Sequence, residues 1–236
     1  MLRNYFKIAW RNLLRPRAFS GLNIAGLAIG IATCLVILLF VADELSYDRF
    51  HEKSDRIVRV IFRASMQGQQ LNEATVMPPV AQTLRADYPE VQEATRLRAY
   101  GTPRVTVGDK IFREDAFAFV DSNFFQVFTI PFLQGNPETA LIQPNTIVIT
   151  RAIARKYFGD EDPMGKVLTL KNLNVPYTIT GVIEKVPSNS HFHFDFFPSL
   201  ATLPEAQALS WLGNSIFYTY LVLSQGYDYK RLEAKL

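Results

Sequence analysis

Cysteine is all but missing: Cys34 is the single one in 236 residues. It sits inside an uncharged stretch, so the polar remainder of the chain has no disulfide of its own. That remainder must be held by an apolar core, which suits a bacterial envelope domain. Reactive thiolates need polar, positive surroundings, so Cys34 reads as a small packing residue. Histidine is scarce as well, with three in all, His51, His191 and His193. Without cysteine nearby, a zinc centre of three or four ligands is hard to assemble from them. Neither a repeat of fixed period nor a low-complexity run occurs. Acid is absent before Ala18, where Arg3, Lys7, Arg11, Arg15 and Arg17 stand alone. Those five cations exceed the net charge of +3, so the rest of the chain is net acidic. The basic pI therefore gives no argument for nucleic-acid binding; its positive charge is piled beside an apolar run.

That run, Ala18 to Val41, has no charged side chain. It exceeds the roughly 20 residues that cross a hydrocarbon core. A helix is the form in which one segment can span, because lipid offers no partner for bare N–H and C=O groups. Lys and Arg beside a span stay on the cytoplasmic side, and Asp43 and Glu44 open the other flank. The chain is expected to run N-terminus in, main domain out. A cleaved signal peptide is the rival, but its apolar region is shorter, and a cut after Ala42 would put Phe40 where a small residue belongs. In the leader, Leu2, Tyr5, Phe6, Ala9, Trp10, Leu13 and Leu14 share one helical face, and Arg3, Lys7, Arg11 and Arg15 the other. Such a helix lies on an anionic lipid surface, and Pro16 breaks it; the alternative is a plain positive flank without regular structure. Gly26 and Gly30 form a G-x-x-x-G pair that would let a second helix approach closely.

From Ser46 the composition is that of an α+β domain. Ile57–Met66 reads as a strand and Met77–Tyr88 as a helix with Pro78 and Pro79 in its first turn. A strand near Val91–Tyr100 closes a strand–helix–strand unit. Gly108-Asp109 marks a hairpin between Arg104–Val107 and Lys110–Val120. Phe124, Phe125, Phe128 and Phe132 read as core rather than as a ligand pocket. Thr146–Ile149 is a strand, Thr150 caps a helix through Phe158, and Gly159 stops it. Val167–Leu170, Tyr177–Val186 and Ile216–Leu223 follow as strands, and Tyr227–Leu236 as the start of a helix. In HFHFDF, alternation sends His191, His193 and Asp195 to one face and Phe192, Phe194 and Phe196 to the other.

Chemistry is thin. Gly159 to Lys166 superficially resembles a phosphate loop, but five residues separate its glycines, Val167 replaces Ser/Thr, and Asp160, Glu161 and Asp162 would repel phosphate. His191, His193 and Asp195 could ligate a metal from one strand face, but a structural or solvent-facing role is the reading taken, and no nucleophile context stands out. The expectation is no catalytic residue, no metal and no cofactor.

Four stretches together resemble a known family. They are FKIAWRNLLRPRAFSGLNIAGLAIGIA, DSNFFQVFTIPFLQGNP, ITRAIARKYFGDEDPMGKVLTL and YTITGVIEKVPSNSHFHFDF. In this order they look like the N-terminal part of a MacB/FtsX-type permease subunit of an ABC transporter. The resemblance implies an α+β fold: a transmembrane helix, then a periplasmic domain of strand–helix–strand units with an inserted β-rich part. On that basis 1–17 is the cytoplasmic leader, 18–42 the span, and 43–236 the periplasmic core, with 101–190 inserted. It implies a bacterial inner-membrane protein in export, efflux or mechanotransmission. Its partners would be a cytoplasmic ATPase that binds the ATP, a second permease half or copy, and a periplasmic adaptor or outer-membrane channel. Gly159, Pro163, Gly165 and Lys166 match a family turn, taken as structural. Family members carry further spans, so the chain is expected to be an N-terminal fragment. Two alternatives stay open: a single-span sensor with a ligand-binding outer domain, and a membrane-anchored envelope enzyme using His191, His193 and Asp195.

Overall fold

The computed structural model describes residues 2–14, 17–66, 68–211 and 215–236. It divides into two units, Met1–Tyr47 and Asp48–Leu236. The first holds two helices, α1 (Leu2–Leu14) and α2 (Arg17–Glu44). From Ala18 onward α2 has a mean hydropathy of 2.8 in its most apolar window, and none of that window is buried. Leu22, Leu27, Ile29, Val36 and Leu39 are each about two-thirds exposed or more. At about 1.5 Å per residue, its 28 residues outreach a hydrocarbon core of roughly 30 Å. Lipid is the solvent that such a uniformly apolar surface fits.

The second unit is a mixed α+β domain. In chain order it contains β1 (Ile57–Val60), β2 (Phe62–Met66), β3 (Gln69–Glu73), α3 (Val80–Asp87), β4 (Val91–Ala99), β5 (Arg104–Val107), β6 (Lys110–Arg113), β7 (Ala118–Val120), α4 (Phe124–Val127), β8 (Phe132–Gly135), β9 (Thr146–Thr150), α5 (Arg151–Phe158), β10 (Val167–Leu170), β11 (Val175–Ile183), β12 (Phe196–Pro198), β13 (Tyr218–Leu223) and α6 (Tyr229–Glu233). One sheet has the order β1-β13-β4-β7 and is antiparallel throughout. A seven-stranded sheet runs β12-β9-β11-β10-β5-β6. Its long strand β11 pairs with β10 over its first half and with β8 over its second. β9 and β11 are parallel, with α5 in the connection between them. The two sheets meet where β7 bridges the β12 segment, Phe117 to Phe196 and Val120 to Ser199.

Alternation along β13 sorts the interior. Leu221 and Leu223 face α3 and α6, joining Val80, Leu84 and Leu232. Tyr220 and Val222 face the phenylalanine cluster. There Phe124, Phe125 and Phe128 are buried and Phe132 is half-buried, as core residues should be. The Phe124 and Phe128 rings lie 4.8 Å apart, and Phe128 meets Phe192 edge-on at 5.2 Å. Each such ring contributes about 1.5–3 kcal/mol by leaving water.

Several elements differ from the pattern reading. The expected strand Ile57–Met66 breaks at Ile61: β1 joins β13, while β2 turns away to pair with β3. The helix expected from Met77 begins only at Val80, with Pro79 at the cap position, because a following proline disfavours the α region for Met77 and Pro78 in turn. Thr150 does stand at the N-cap of α5, but its hydroxyl donates to Asp195 at 2.9 Å instead of capping. Residues 191–195 are irregular rather than a strand. Their backbone is claimed from the side, Asp195 and Phe196 both donating to Ala116 O at 2.8 and 3.1 Å.

Candidate functional site

A polar cluster in the second unit begins at its first residue. Asp48 has φ 59°, unusual for a residue with a Cβ. Its N–H donates to Asn189 O at 2.8 Å. Its carboxylate accepts from the Ser190 hydroxyl at 3.3 Å, the His191 N–H at 3.0 Å and His191 Nδ1 at 2.9 Å. A carboxylate only accepts, so Nδ1 carries the proton, and Nε2 of the neutral ring takes one from Tyr220 OH at 2.7 Å. Asp48, His191 and Tyr220 thus form a chain from the start of the unit to β13, the strand flanked by β1 and β4 in the four-stranded sheet.

His51 sits beside this chain. It is 2% exposed, and neither ring nitrogen has a hydrogen bond of acceptable geometry. Phe50, Phe128 and Phe192 surround the ring at centroid distances of 4.0, 5.1 and 6.4 Å. Asp48 Oδ1 is 3.9 Å from Nε2. Burial pushes the His51 pKa below its ordinary value, and the Asp48 charge does not compensate. For Asp48 burial acts upward, but the His191 hydrogen bonds outweigh it and hold the carboxyl below its usual range. A cavity of about 340 Å³ opens here, lined by Asp48, His51, Ser54, Arg59, His191 and Tyr220 among others.

An acid–imidazole–hydroxyl order invites a catalytic reading. The phenol argues against it. Burial pushes Tyr220 up to about 12, so near neutral pH it is a donor and not a nucleophile. What the arrangement does is fasten the first residues of the unit to the 188–193 loop and to β13. A second cavity of about 350 Å³ is lined by Arg85, Glu93, Arg96, Asp121 and Asn123 among others. Its central cation, Arg96, is 4% exposed and locked in a two-point pair with Asp121.

The residues singled out in the sequence lie apart from this cluster, except His191. His193 bonds Ser188 O at 3.2 Å and is exposed, and Asp195 takes the Thr150 hydroxyl. Among the described residues no three His, Cys, Asp or Glu side chains gather as a metal site. Gly159 ends α5 at φ 66° with its N–H on Arg155 O. Gly165, at φ 75°, donates to Ile179 O at 2.8 Å, and Lys166 N–H donates to Pro163 O at 3.1 Å. The Lys166 ammonium pairs with Glu161 and lies 5.1 Å from the Phe158 ring centre. That turn therefore closes on itself and on β11. Beyond their own helix turn, Gly26 and Gly30 have no neighbouring atom within 4 Å of where a Cβ would stand. Arg3, Lys7 and Arg11 are exposed on α1; Arg15 and Pro16 lie outside the described residues. Asp48 and His51 went unremarked as partners of His191 because 143 residues separate Asp48 from it. The one available signal was Phe50-His51, an imidazole next to a large apolar residue.

The fold and its apolar leading helix define a class, the outer domain of a membrane permease. A family model described as the MacB-like periplasmic core domain matches residues 20–236, and the chain belongs to that family. It is the periplasmic core domain of a MacB-like ABC transporter permease, preceded by one apolar helix. The family is one of permease domains, and membership implies an ATPase partner. Three solved structures are similar. A domain described as part of a permease from Porphyromonas gingivalis shares 27% identity, with a TM-score of 0.71 over 80% of this chain and 81% of that one. The periplasmic region of MacB from Actinobacillus actinomycetemcomitans shares 19%, with a TM-score of 0.53 over 74% and 78%. The extracellular domain of the noncanonic ABC-type transporter YknZ from Gram-positive bacteria shares 12%, with a TM-score of 0.53 over 75% and 87%. The last two carry the fold alone. No curated protein matches the chain.

Proposed function

We propose that this chain is the first span and outer head of an ABC permease that relays ATP-driven motion from the cytoplasm to the periplasm, in export, efflux or mechanotransmission. The observation that carries this is the family match, which starts inside α2 and runs to residue 236. Helix and head thus belong to one permease unit. The cations of α1 before the span and Asp43 and Glu44 at its far end support an inner-membrane protein with its N-terminus in the cytoplasm. We take 1–17 as the leader, 18–42 as the span and 43–236 as the core, with the β-rich stretch 101–190 inserted. The partners are a cytoplasmic ATPase that binds the ATP, a second permease half or copy packed through Gly26 and Gly30, anionic lipid under Arg3, Lys7 and Arg11, and a periplasmic adaptor or outer-membrane channel. We read the head as a relay, with ATP hydrolysis left to the partner.

The test uses a Cys34→Ser background. Asp109→Cys in the exposed β5–β6 turn should react with an impermeant maleimide on intact spheroplasts, and Lys7→Cys only after lysis. The reverse pattern would overturn the orientation. Chain purified from native membranes should bring an ABC ATPase subunit with measurable ATP hydrolysis; chain that never does so would sink the transport reading.

A further inference from the structure

We propose that residues 48–56 are an acid-released latch, in which His51 is the proton acceptor and the Asp48–His191–Tyr220 chain is the clasp. The inference concerns the folded head alone and stands even if the ATPase reading fails. Only its use as a sensor of periplasmic acidity rests on the head lying outside.

The argument is one of competing partners. Neutral His51 is tolerated among Phe50, Phe128 and Phe192 with both ring nitrogens buried and unbonded, and the residue lines the cavity by which a proton can reach it. A charged imidazolium there gains from the Thr129 backbone, but not enough to offset burial, and still needs water or an anion. The anion at hand is Asp48, 3.9 Å away, and its oxygens already hold His191 and Ser190. Taking Asp48 breaks the clasp; reaching water pulls the segment out of its aromatic seat. Both routes free residues 48–56. The other charged or titratable groups around the cavity do not relieve His51. Arg59 on β1 is cationic, His191 on the 188–193 loop offers no negative charge, Tyr220 on β13 stays a neutral phenol, and the Lys53 ammonium is held by Gln126 O at 2.6 Å.

The sign follows from linkage. A histidine whose folded pKa is lowered binds its proton better when the segment is open. The closed form is fully favoured above the ordinary histidine value of about 6.5 and loses ground as pH falls below it. Asp48, also lowered, gives its contribution up only as pH falls below the ordinary carboxylate range. His51 therefore acts first.

The experiment is hydrogen exchange on the whole chain in lipid nanodiscs at pH 7.5 and 5.0, corrected for intrinsic rates. Peptides covering 48–56 and 188–193 should exchange about tenfold faster or more at pH 5.0, tenfold being the factor that one pKa unit of differential protonation supplies. Strands β9 and β11 should not change. His51→Phe should abolish the difference and keep the segment protected. Asp48→Asn should raise exchange at both pH values. Because there are three histidines, ring-labelled chain also allows direct titration, with His193→Gln used for assignment. The His51 ring should titrate below the ordinary value, and the exchange change should follow it. Equal exchange at the two pH values, or a His51→Phe chain that keeps the pH dependence, would overturn the latch. If His51→Phe does not fold, a wild-type His51 ring that titrates normally without any opening of 48–56 overturns it as well.

Discussion

Arg96 illustrates how much can depend on one side chain. It lies on β4, buried, and four of the five N–H donors of its guanidinium are used: two bonds to Asp121 at 2.9 Å, one to Pro78 O at 3.0 Å and one to Ala206 O at 2.8 Å. It thereby ties the start of α3, the 3-10 turn Pro204–Gln207 and the end of β7 to one strand. Arg96→Leu should destabilise the head by about 3–5 kcal/mol, because a carboxylate and two carbonyls lose their partner. Asp121→Asn should do less harm, since that side chain is 21% exposed and water can replace it. Urea unfolding followed by circular dichroism would measure both. The aromatic core was legible from composition alone, since Phe124, Phe125 and Phe128 have nowhere else to go. Arg96 was not, because an arginine's burial depends on acceptors that come from three distant segments. The same holds for the Thr150 hydroxyl, which local spacing sends to a cap and tertiary contact sends to Asp195.

At the scale of elements, pattern reading found what local physics dictates. The β5–β6 hairpin turns at Gly108-Asp109 with Val107 opposite Lys110, as its turn pair implies. It lost the places where a neighbour decides. Ile57–Met66 reads as one strand because all its residues suit one, yet two different partners divide it. HFHFDF alternates like a strand, but β12 starts only at Phe196 since Ala116 O and Asp48 hold the preceding backbone and His191. Gly135 offers a sharper test of element pairing. It ends β8 at φ 89°, and an added Cβ would stand 2.5 Å from Thr180 O on β11. Gly135→Ala should cost about 1–3 kcal/mol from the backbone conformation alone, and the steric clash should add to that. Hydrogen exchange should show β8 leaving β11 while the β1–β13 pairing stays protected.

For the molecule as a whole, the division into an apolar helical unit and a mixed head was visible from the charge-free run and the composition change near Ser46. The arrangement of the head's two larger sheets was not, because β12 reaches β7 through pairings that no local signal announces. One expectation at this scale concerns assembly. Gly26→Leu and Gly30→Leu add side chains where nothing beyond their own helix turn lies within 4 Å. They should therefore leave head unfolding unchanged and reduce helix cross-linking between permease copies in membranes several-fold. Unaltered cross-linking would remove the glycine pair from the assembly.

The seam between β7 and β12 has a mechanical meaning. Phe117 and Phe119 on one side share a single packed interior with Ile147, Tyr177 and Phe196 on the other. Close-packed interiors deform little, so neither sheet can swing against the other without emptying that interior. A pull on either sheet is then carried into the other, and the pair answers as one rigid plate.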